Sequence, residues 1–492
     1  MAKISIDINK EISQIDDRLY GSFIEHLGRA VYEGIYQPGH PSADEDGFRE
    51  DVLALVKELN VPVVRYPGGN FVSNYFWEDG VGPVEQRKKR LDLAWRTLEP
   101  NEVGISEFNR WAGKAGTKIM MAVNLGTRGL PDALNLLEYC NLDTDSYYAS
   151  LRRSHGDEKP FNIKLWCMGN EMDGHWQVGH KTATEYGRLA AETAKAMKLM
   201  DDSIECVVCG SAHINMPTFG TWEKEVLTEA YDYVDYISCH QYFENKAGDT
   251  EDFFASIDNL DSFIDTVAGI CDEVKAAKSS DKTVNISFDE WNCWYHVMAE
   301  DDDRMKNDPW GLAPHLLEDN YTFEDAVVNG LALIKFMNHS DRVKIACLAQ
   351  LVNVIAPIMT ENDEPAWRQT IFYPFLHASL YGRGTALIAE TETGKHDTSN
   401  HHDVTDIEAS AVYNKASGQL ALFIVNRCID KSIPLELDLN GFKEFNKIKH
   451  IALESSDMLI TNSASEEKVR PVEKDTLPSE LAPASWNVII LS

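Results

Sequence analysis

Two glutamates stand at the ends of apolar segments that are otherwise typical of buried strands. Glu171 ends the segment 162-NIKLWCMGNE-171, and Glu290 follows 283-TVNISFD-289. A pair of opposed carboxyl groups is what glycoside hydrolysis requires, because one protonates the leaving oxygen while the other attacks the anomeric carbon or activates water. A separation of about 5 Å would indicate retention of configuration, and a separation of about 9 Å would indicate inversion.

Either glutamate, taken alone, is more simply explained as a solvated strand end or a helix cap. The catalytic interpretation depends on other polar residues at the ends of neighbouring apolar segments. These are Glu25-His26, Arg65 with Gly68-Gly69-Asn70, Asn170, His240-Gln241-Tyr242, Asp289, Asn292, Gln350 and Asn353. Polar residues that end six different strands point to one shared rim, which favours catalysis over the simpler explanation.

Eight short β-rich runs must position these residues, and helical patterns lie between them. The runs span 19–28, 61–70, 117–126, 162–171, 203–212, 233–243, 283–292 and 343–355. Helices are predicted over 47–60, 105–116, 182–200, 322–340 and 367–382. This alternation predicts an α/β fold of the (β/α)8 TIM-barrel type. An open doubly wound sheet is the alternative, and it is disfavoured because no glycine-rich dinucleotide loop follows the first run.

The pattern changes after residue 383, where helical periodicity fades. The segment 409–427, ASAVYNKASGQLALFIVNR, reads as two alternating strands around a Lys-Ala-Ser-Gly turn. We therefore predict a catalytic barrel over 15–380 and an all-β, jelly-roll-like sandwich domain over 381–492. The alternating segment KISIDI, within residues 1–14, is expected to pair into the sandwich.

Composition narrows the range of partners. The formal net charge of −33 argues against nucleic acid and against anionic membranes, since a polyanion would be repelled. A neutral substrate fits this charge better. The nine cysteines lie mostly in apolar runs, as reduced thiols do. The sequence shows neither a signal peptide nor a membrane-spanning run, so a cytoplasmic location is expected.

Six motifs, in order along the chain, resemble glycoside hydrolase family 51. They are FIEHLGR (23–29), VRYPGGNF (64–71), WCMGNEMDGHWQVGH (166–180), SCHQYF (238–243), SFDEWNCWYH (287–296) and AQLVNVIAP (349–357). That family is best known for α-L-arabinofuranosidases. It belongs to a clan of barrel glycosidases with Asn-Glu at the fourth strand and Glu at the seventh. The resemblance covers nearly the whole chain, including the β-rich tail.

The resemblance implies a role for each matching residue. Glu171 resembles the general acid/base of the family, and Glu290 resembles its nucleophile. Asn170 resembles the amide that binds the sugar 2-hydroxyl. The remaining residues that resemble substrate ligands or subsite walls are Glu25, Asn70, Tyr242, Gln350, Trp95 and Trp294, while Arg65 and His240 are expected to support the two carboxylates. The resemblance also suggests a homohexamer. Neither a metal nor another cofactor is expected.

The sequence thus predicts a retaining, exo-acting α-L-arabinofuranosidase. Its expected substrates are short arabinose-containing oligosaccharides, because polymers would not enter the cytoplasm. Two alternatives stay open. One is an endoglucanase or β-xylosidase on the same scaffold, since a fold does not fix a substrate. The other is a sugar-binding protein without catalysis, although such a protein would not need both glutamates. The sequence does not rank arabinan, arabinoxylan and arabinogalactan fragments.

Overall fold

A computed structural model of the chain describes residues 1–295 and 298–492. Eight parallel strands form a closed barrel in its larger unit. They are β1 (Gly21–Phe23), β2 (Val63–Tyr66), β3 (Lys118–Ala122), β4 (Leu165–Met168), β5 (Glu205–Val208), β6 (Tyr236–Phe243), β7 (Asn285–Cys293) and β8 (Val343–Ala349). Each strand falls on one of the eight predicted runs, so the prediction of a TIM barrel is confirmed.

Most of the barrel strands end earlier than the predicted runs. Strand β4 ends at Met168, and β2 ends at Tyr66, so the polar residues that follow them leave the hydrogen-bonded ladder. After β4 the backbone turns sharply, with φ of 88° at Gly169 and 43° at Glu171. These residues therefore lie on the rim at the carboxyl ends of the strands, where barrel enzymes place their chemistry.

Helices cover the outside of the barrel and connect its strands. They are α1 (Glu50–Leu59), α2 (Ile105–Ala115), α3 (Leu130–Asn141), α4 (Tyr147–Ser154), α5 (Ala183–Met200), α6 (Thr221–Ala230), α7 (Thr250–Ser256), α8 (Asn259–Lys278), α9 (Met298–Asn307), α10 (Phe323–Asn338) and α11 (Phe372–Tyr381). Helix α5 begins with a capping box, in which Thr182 and Glu185 each bond the backbone N–H of the other. Helix α10 is buried along nearly its whole length, because it lies between the barrel and the second unit.

Nine strands form a single sheet in the second unit, which is all-β as predicted. Ala2–Gln14 pairs antiparallel with Thr385–Glu392 and parallel with Ile433–Asn440. The other strands are Ile407–Asn414, Gln419–Asn426, Ile448–Leu453, Val472–Lys474, Glu480–Leu481 and Ser485–Leu491. The register between Ala2–Gln14 and Thr385–Glu392 shifts twice, and this unit has an apolar core of its own. The division of the chain at residue 381 stays a prediction.

Ion pairs with two buried cations, Lys335 and Arg427, join the two units. The ammonium of Lys335, on α10, lies 2.9 Å from Asp258, 2.8 Å from Asp261 and 3.1 Å from Glu408 of the sheet. Arg427, also of the sheet, bonds Asp258 at 2.8 Å. Arg427 also bonds Glu408, and His339 lies 2.9 Å from Asp261, so the cluster joins side chains of both units through several contacts.

Two further properties complete the description of the fold. All nine cysteines are buried and unpaired. Within residues 1–295 and 298–492, no helix combines the length and the apolar character needed to cross a membrane.

Candidate active site

A bulge in β7 directs two neighbouring acids toward the barrel interior. Between Ser287 and Glu290, β7 advances three residues while its partner β6 advances only two, from Ser238 to His240. Side chains alternate between the two faces of a regular strand, so Asp289 and Glu290 would otherwise face opposite sides. The extra residue lets Asp289 bond His240 while Glu290 faces Arg65 and Tyr242.

Two donors from different strands hold the carboxylate of Glu290. Nη1 of Arg65, on β2, donates to Oε1 at 2.6 Å, and the hydroxyl of Tyr242, on β6, donates to Oε2 at 2.9 Å. The ring of Trp294 meets Tyr242 edge to face, with 5.1 Å between the ring centroids. Arg65 is fully buried, and its Nη2 donates to Oδ1 of Asn170 at 2.6 Å. One guanidinium therefore links the ends of β2, β4 and β7.

Glu171 lies on the opposite side of the same space. Its Oε1 is 2.9 Å from Nδ1 of His240, and its Oε2 accepts the indole N–H of Trp176 at 2.8 Å. Burial tends to raise the pKa of Glu171, but the hydrogen bond and the charge of His240 outweigh burial and lower the pKa. Carboxylate oxygens of Glu171 and Glu290 lie within 4.8 Å of each other.

His240 connects the two glutamates and Asp289. Its Nδ1 is 3.6 Å from Oε2 of Glu290, and its Nε2 is 2.9 Å from Oδ1 of Asp289. Burial alone would lower the pKa of His240. The negative charge of Glu290 and the hydrogen bonds to Asp289 and Glu171 act in the other direction and raise this pKa to about 10.

Glu25 forms another wall of the site. Its Oε1 accepts the backbone N–H of Phe71 at 2.8 Å and the indole N–H of Trp95 at 2.9 Å. Burial is the main reason that its pKa rises to about 8. Gly69 lets this carboxylate lie against the backbone, because a Cβ at that position would lie 2.3 Å from Oε2 of Glu25. Gln350, after β8, accepts the backbone N–H of Glu25 at 2.9 Å.

Amide side chains extend the site beside Asn170. Asn70 accepts a hydrogen bond from Nδ2 of Asn170 at 3.3 Å and another from Nε2 of Gln177 at 2.6 Å. Gln177 in turn accepts the hydroxyl of Ser73 at 2.8 Å. Every residue proposed from the sequence as a ligand or support thus contacts at least one other member of the site.

Other polar strand ends have structural partners instead. His26 bonds Glu99 and Tyr66. Asn292 donates to the backbone carbonyls of Ala349, the last residue of β8, and of Ile355. Asn353 binds Thr360 and the backbone of Arg29. Three residues of the site had no catalytic role in the sequence interpretation: Asp289, Trp176 and Gln177. Trp176 is 40% exposed and donates its indole N–H to Glu171. The sequence did offer one indication of a site role for Trp176, because it lies in the same motif as Glu171.

Comparisons with known proteins show which family the chain belongs to. Residues 55–262 match the α-L-arabinofuranosidase 1 domain, and residues 289–485 match the α-L-arabinofuranosidase C-terminal domain. The chain is 60% identical to an intracellular exo-α-(1→5)-L-arabinofuranosidase of Acetivibrio thermocellus, with 99% of both chains covered. It is 54% identical to intracellular exo-α-(1→5)-L-arabinofuranosidase 1 of Bacillus subtilis, with 100% of this chain and 99% of the relative covered.

A solved structure gives the same result. The family 51 α-L-arabinofuranosidase AbfB of Bifidobacterium longum superposes with a TM-score of 0.96 at 46% identity, covering 100% of this chain and 99% of the other. A parallel barrel with two facing carboxylates, together with these matches, defines a glycoside hydrolase. The chain belongs to glycoside hydrolase family 51, the family of α-L-arabinofuranosidases.

Proposed function

We propose that the protein is a retaining, exo-acting α-L-arabinofuranosidase. It would release terminal, non-reducing α-L-arabinofuranosyl residues from arabinose-containing oligosaccharides. The observation that carries this proposal is the approach of Glu171 and Glu290 to within 4.8 Å, measured between carboxylate oxygens. Retaining glycosidases have carboxyl groups about 5 Å apart, whereas inverting enzymes need about 6.5 Å or more to admit a water molecule.

The proposed reaction has two steps. Glu290 attacks the anomeric carbon while Glu171 protonates the glycosidic oxygen, which leaves as an alcohol. A covalent arabinosyl-enzyme results. Glu171 then removes a proton from water, and the water releases arabinose and restores the carboxylate of Glu290. The contacts of Glu290 with Arg65 and Tyr242 support its role as nucleophile, because both donors favour and orient an ionised carboxylate.

The sugar would occupy the space between these carboxylates. Asn170 is proposed to bind the 2-hydroxyl, since this bond strengthens in the transition state of glycosidases. Other hydroxyl groups would bind Glu25, Asn70 and Gln350. Trp95 and Trp294 would form aromatic walls. Each of these residues lies on a loop or strand end of the C-terminal rim, which is the part of the barrel that binds substrates.

The names of the relatives guide the choice of substrates to test and the proposed cellular location. The Acetivibrio and Bacillus proteins are named intracellular exo-α-(1→5)-L-arabinofuranosidases, so α-(1→5)-arabino-oligosaccharides are the first substrates to test. A relative from Bifidobacterium longum, 45% identical, is named for α-(1→6) linkages, so both linkages belong in the comparison. We also propose a cytoplasmic location and, by family resemblance, a homohexamer that sedimentation would test.

Azide rescue tests the roles of the carboxylates. The variants Glu290→Ala and Glu171→Ala would each be assayed with an aryl arabinofuranoside that has a good leaving group. We expect an arabinosyl azide of inverted configuration from the first variant and one of retained configuration from the second. Full activity in either variant without azide would refute the assignment.

Substrate screening tests the alternatives. Wild-type protein should hydrolyse an aryl α-L-arabinofuranoside and leave carboxymethyl cellulose intact. The reverse result would identify an endoglucanase, and preference for an aryl β-xyloside would identify a β-xylosidase. Binding of arabinose without turnover of any of these substrates would indicate a sugar-binding protein.

A further inference from the structure

Three side chains form a continuous hydrogen-bonded chain from β7 to the end of β4. Oδ1 of Asp289 lies 2.9 Å from Nε2 of His240, and Nδ1 of the same ring lies 2.9 Å from Oε1 of Glu171. The side chains of His240 and Asp289 are 2% and 1% exposed, and that of Glu171 is 11% exposed. Water therefore has little access to these bonds.

Donor counting fixes the number of protons in this chain. A neutral imidazole has one N–H donor and one acceptor, whereas an ionised carboxylate only accepts hydrogen bonds. Here both ring nitrogens face carboxylate oxygens, so two protons must lie between the three groups. A neutral histidine with two ionised carboxylates would supply only one. The hydrogen-bonded chain Asp289–His240–Glu171 therefore holds one more proton than a neutral histidine with two ionised carboxylates would.

We propose that Asp289 is a positioning residue that, through His240, stores the proton which Glu171 delivers to the leaving glycosidic oxygen. This inference rests on the proposed function of Glu171 and Glu290. Asp289 anchors Nε2–H, and this contact turns Nδ1 toward Glu171. The β7 bulge makes the arrangement possible, because it brings Asp289 to the same interior as Glu290.

The proton movements balance over one catalytic cycle. In the first step, the Nδ1 proton of His240 passes to Glu171 as Glu171 transfers a proton to the glycosidic oxygen. The bond from the anomeric carbon to that oxygen breaks, and the bond to Glu290 forms. His240 is then neutral and still donates Nε2–H to Asp289. In the second step, water gives its proton to Glu171, and the proton returns to Nδ1 when the ester to Glu290 breaks.

The charges around His240 favour this cycle. The acids that face it are Glu171, Asp289 and Glu290, and the bases near it are Arg65 and His213. In the free enzyme the excess of negative charge stabilises the imidazolium, consistent with the raised pKa of His240. Formation of the ester removes the charge of Glu290, 3.6 Å from Nδ1. The chain should then bind its additional proton less strongly, which is the change that acid catalysis requires.

The variant Asp289→Asn tests the role of this carboxylate. Asparagine has nearly the same shape and can still accept Nε2–H, but it removes one negative charge. The pH profile of kcat/KM would be measured with an arabino-oligosaccharide, whose leaving group needs protonation, and with a dinitrophenyl arabinofuranoside, whose leaving group does not. For the oligosaccharide we expect the alkaline limb to move to lower pH by about one unit or more. At low pH, and with the dinitrophenyl substrate, the activity should change much less.

Cys167 provides a matched control. Its Sγ lies 3.9 Å from Oδ2 of Asp289, whereas His240 contacts the other carboxylate oxygen, Oδ1. The thiol donates this weak hydrogen bond, so Cys167→Ala removes a neutral contact of Asp289 without changing any charge among Asp289, His240 and Glu171. We expect its alkaline limb to stay at the wild-type pH. An equal shift in this control, or an Asp289→Asn profile lowered uniformly at every pH, would overturn the proposal.

Neutron diffraction of the wild-type protein gives a test that does not depend on the folding of a variant. Deuterium should occupy both ring nitrogens of His240 in the free enzyme and only Nε2 in an enzyme trapped with a 2-fluoro arabinofuranosyl group on Glu290. A single deuteron in the free chain would overturn the inference. The proposed function is tested separately, because wild-type protein that hydrolyses no arabinofuranoside would contradict that function rather than the proton store.

Discussion

The hydroxyl of Tyr242 allows a clean deletion of one contact to the proposed nucleophile. This hydroxyl donates to Oε2 of Glu290 at 2.9 Å, while Arg65 holds Oε1. Tyr242→Phe removes the donor and keeps the ring, which remains packed edge to face on Trp294. The carboxylate of Glu290 would then be fixed through one oxygen and less well oriented for attack.

The strength of the lost bond sets the size of the effect. A hydrogen bond to a charged group contributes about 1.5–3 kcal/mol. Since about 1.4 kcal/mol corresponds to a factor of ten in rate, kcat/KM should fall about 10- to 150-fold. The assay is steady-state hydrolysis of an aryl α-L-arabinofuranoside, with thermal unfolding as a check that the variant folds.

Tyr373 supplies the matched control for this prediction. Its hydroxyl donates to Oε2 of Glu467, also at 2.9 Å and also to a carboxylate, but at the junction with the β domain. Tyr373→Phe should leave kcat/KM near the wild-type value. The reasoning would be refuted if Tyr242→Phe kept more than half of the wild-type kcat/KM, or if both variants lost activity equally.

Other side chains give further tests. Trp176→Phe removes the indole donor to Glu171, so kcat/KM on arabino-oligosaccharides should fall about 10-fold in steady-state assays. Burial raises the pKa of Glu25 from 4.5 to about 8 in the folded protein. Between these two pH values folding takes up a proton, so the free energy of unfolding falls as the pH rises across this range. Glu25→Gln should reduce this decrease in the free energy of unfolding. The measurement is urea unfolding at about pH 5 and about pH 8, near the two ends of that range. Lys335→Met should lower the free energy of unfolding by about 2 kcal/mol, less than for a fully buried ion pair, because its aspartate partners are partly exposed and Arg427 still pairs with Asp258 and Glu408. The exposed pair of Lys224 serves as control, and Lys224→Met should change stability little.

Each of these expectations has a contrary outcome. Unchanged turnover of oligosaccharides by Trp176→Phe would show that its contact with Glu171 has no role in acid catalysis. An identical pH dependence of unfolding in wild type and Glu25→Gln would place the buried proton elsewhere. Equal destabilisation by Lys335→Met and Lys224→Met would contradict the importance of the cluster between the two units.

The sequence determined the fold class and most of the residues at the rim. The apolar runs and the helical patterns between them are local features of the sequence, so they can be recognised without a structure. The positions of Glu171 and Glu290 at the ends of the fourth and seventh runs already implied a shared space, because all strand ends of a parallel barrel meet at one rim. The hairpin at 409–427 was equally local, and the structure has strands at Ile407–Asn414 and Gln419–Asn426.

Only the tertiary structure decided which side chains meet. Alternation along β7 cannot place Asp289 and Glu290 on the same side, and the bulge that does so depends on pairing with β6. The contact of Trp176 with Glu171 and the bridge from Arg65 to Asn170 join residues through loop geometry, which carries no periodic signal. The raised pKa of Glu25 and the additional proton beside His240 likewise arise from burial and from several charges brought together. The burial of a site and the charges around it depend on residues from distant parts of the chain, so they arise only once the barrel has closed.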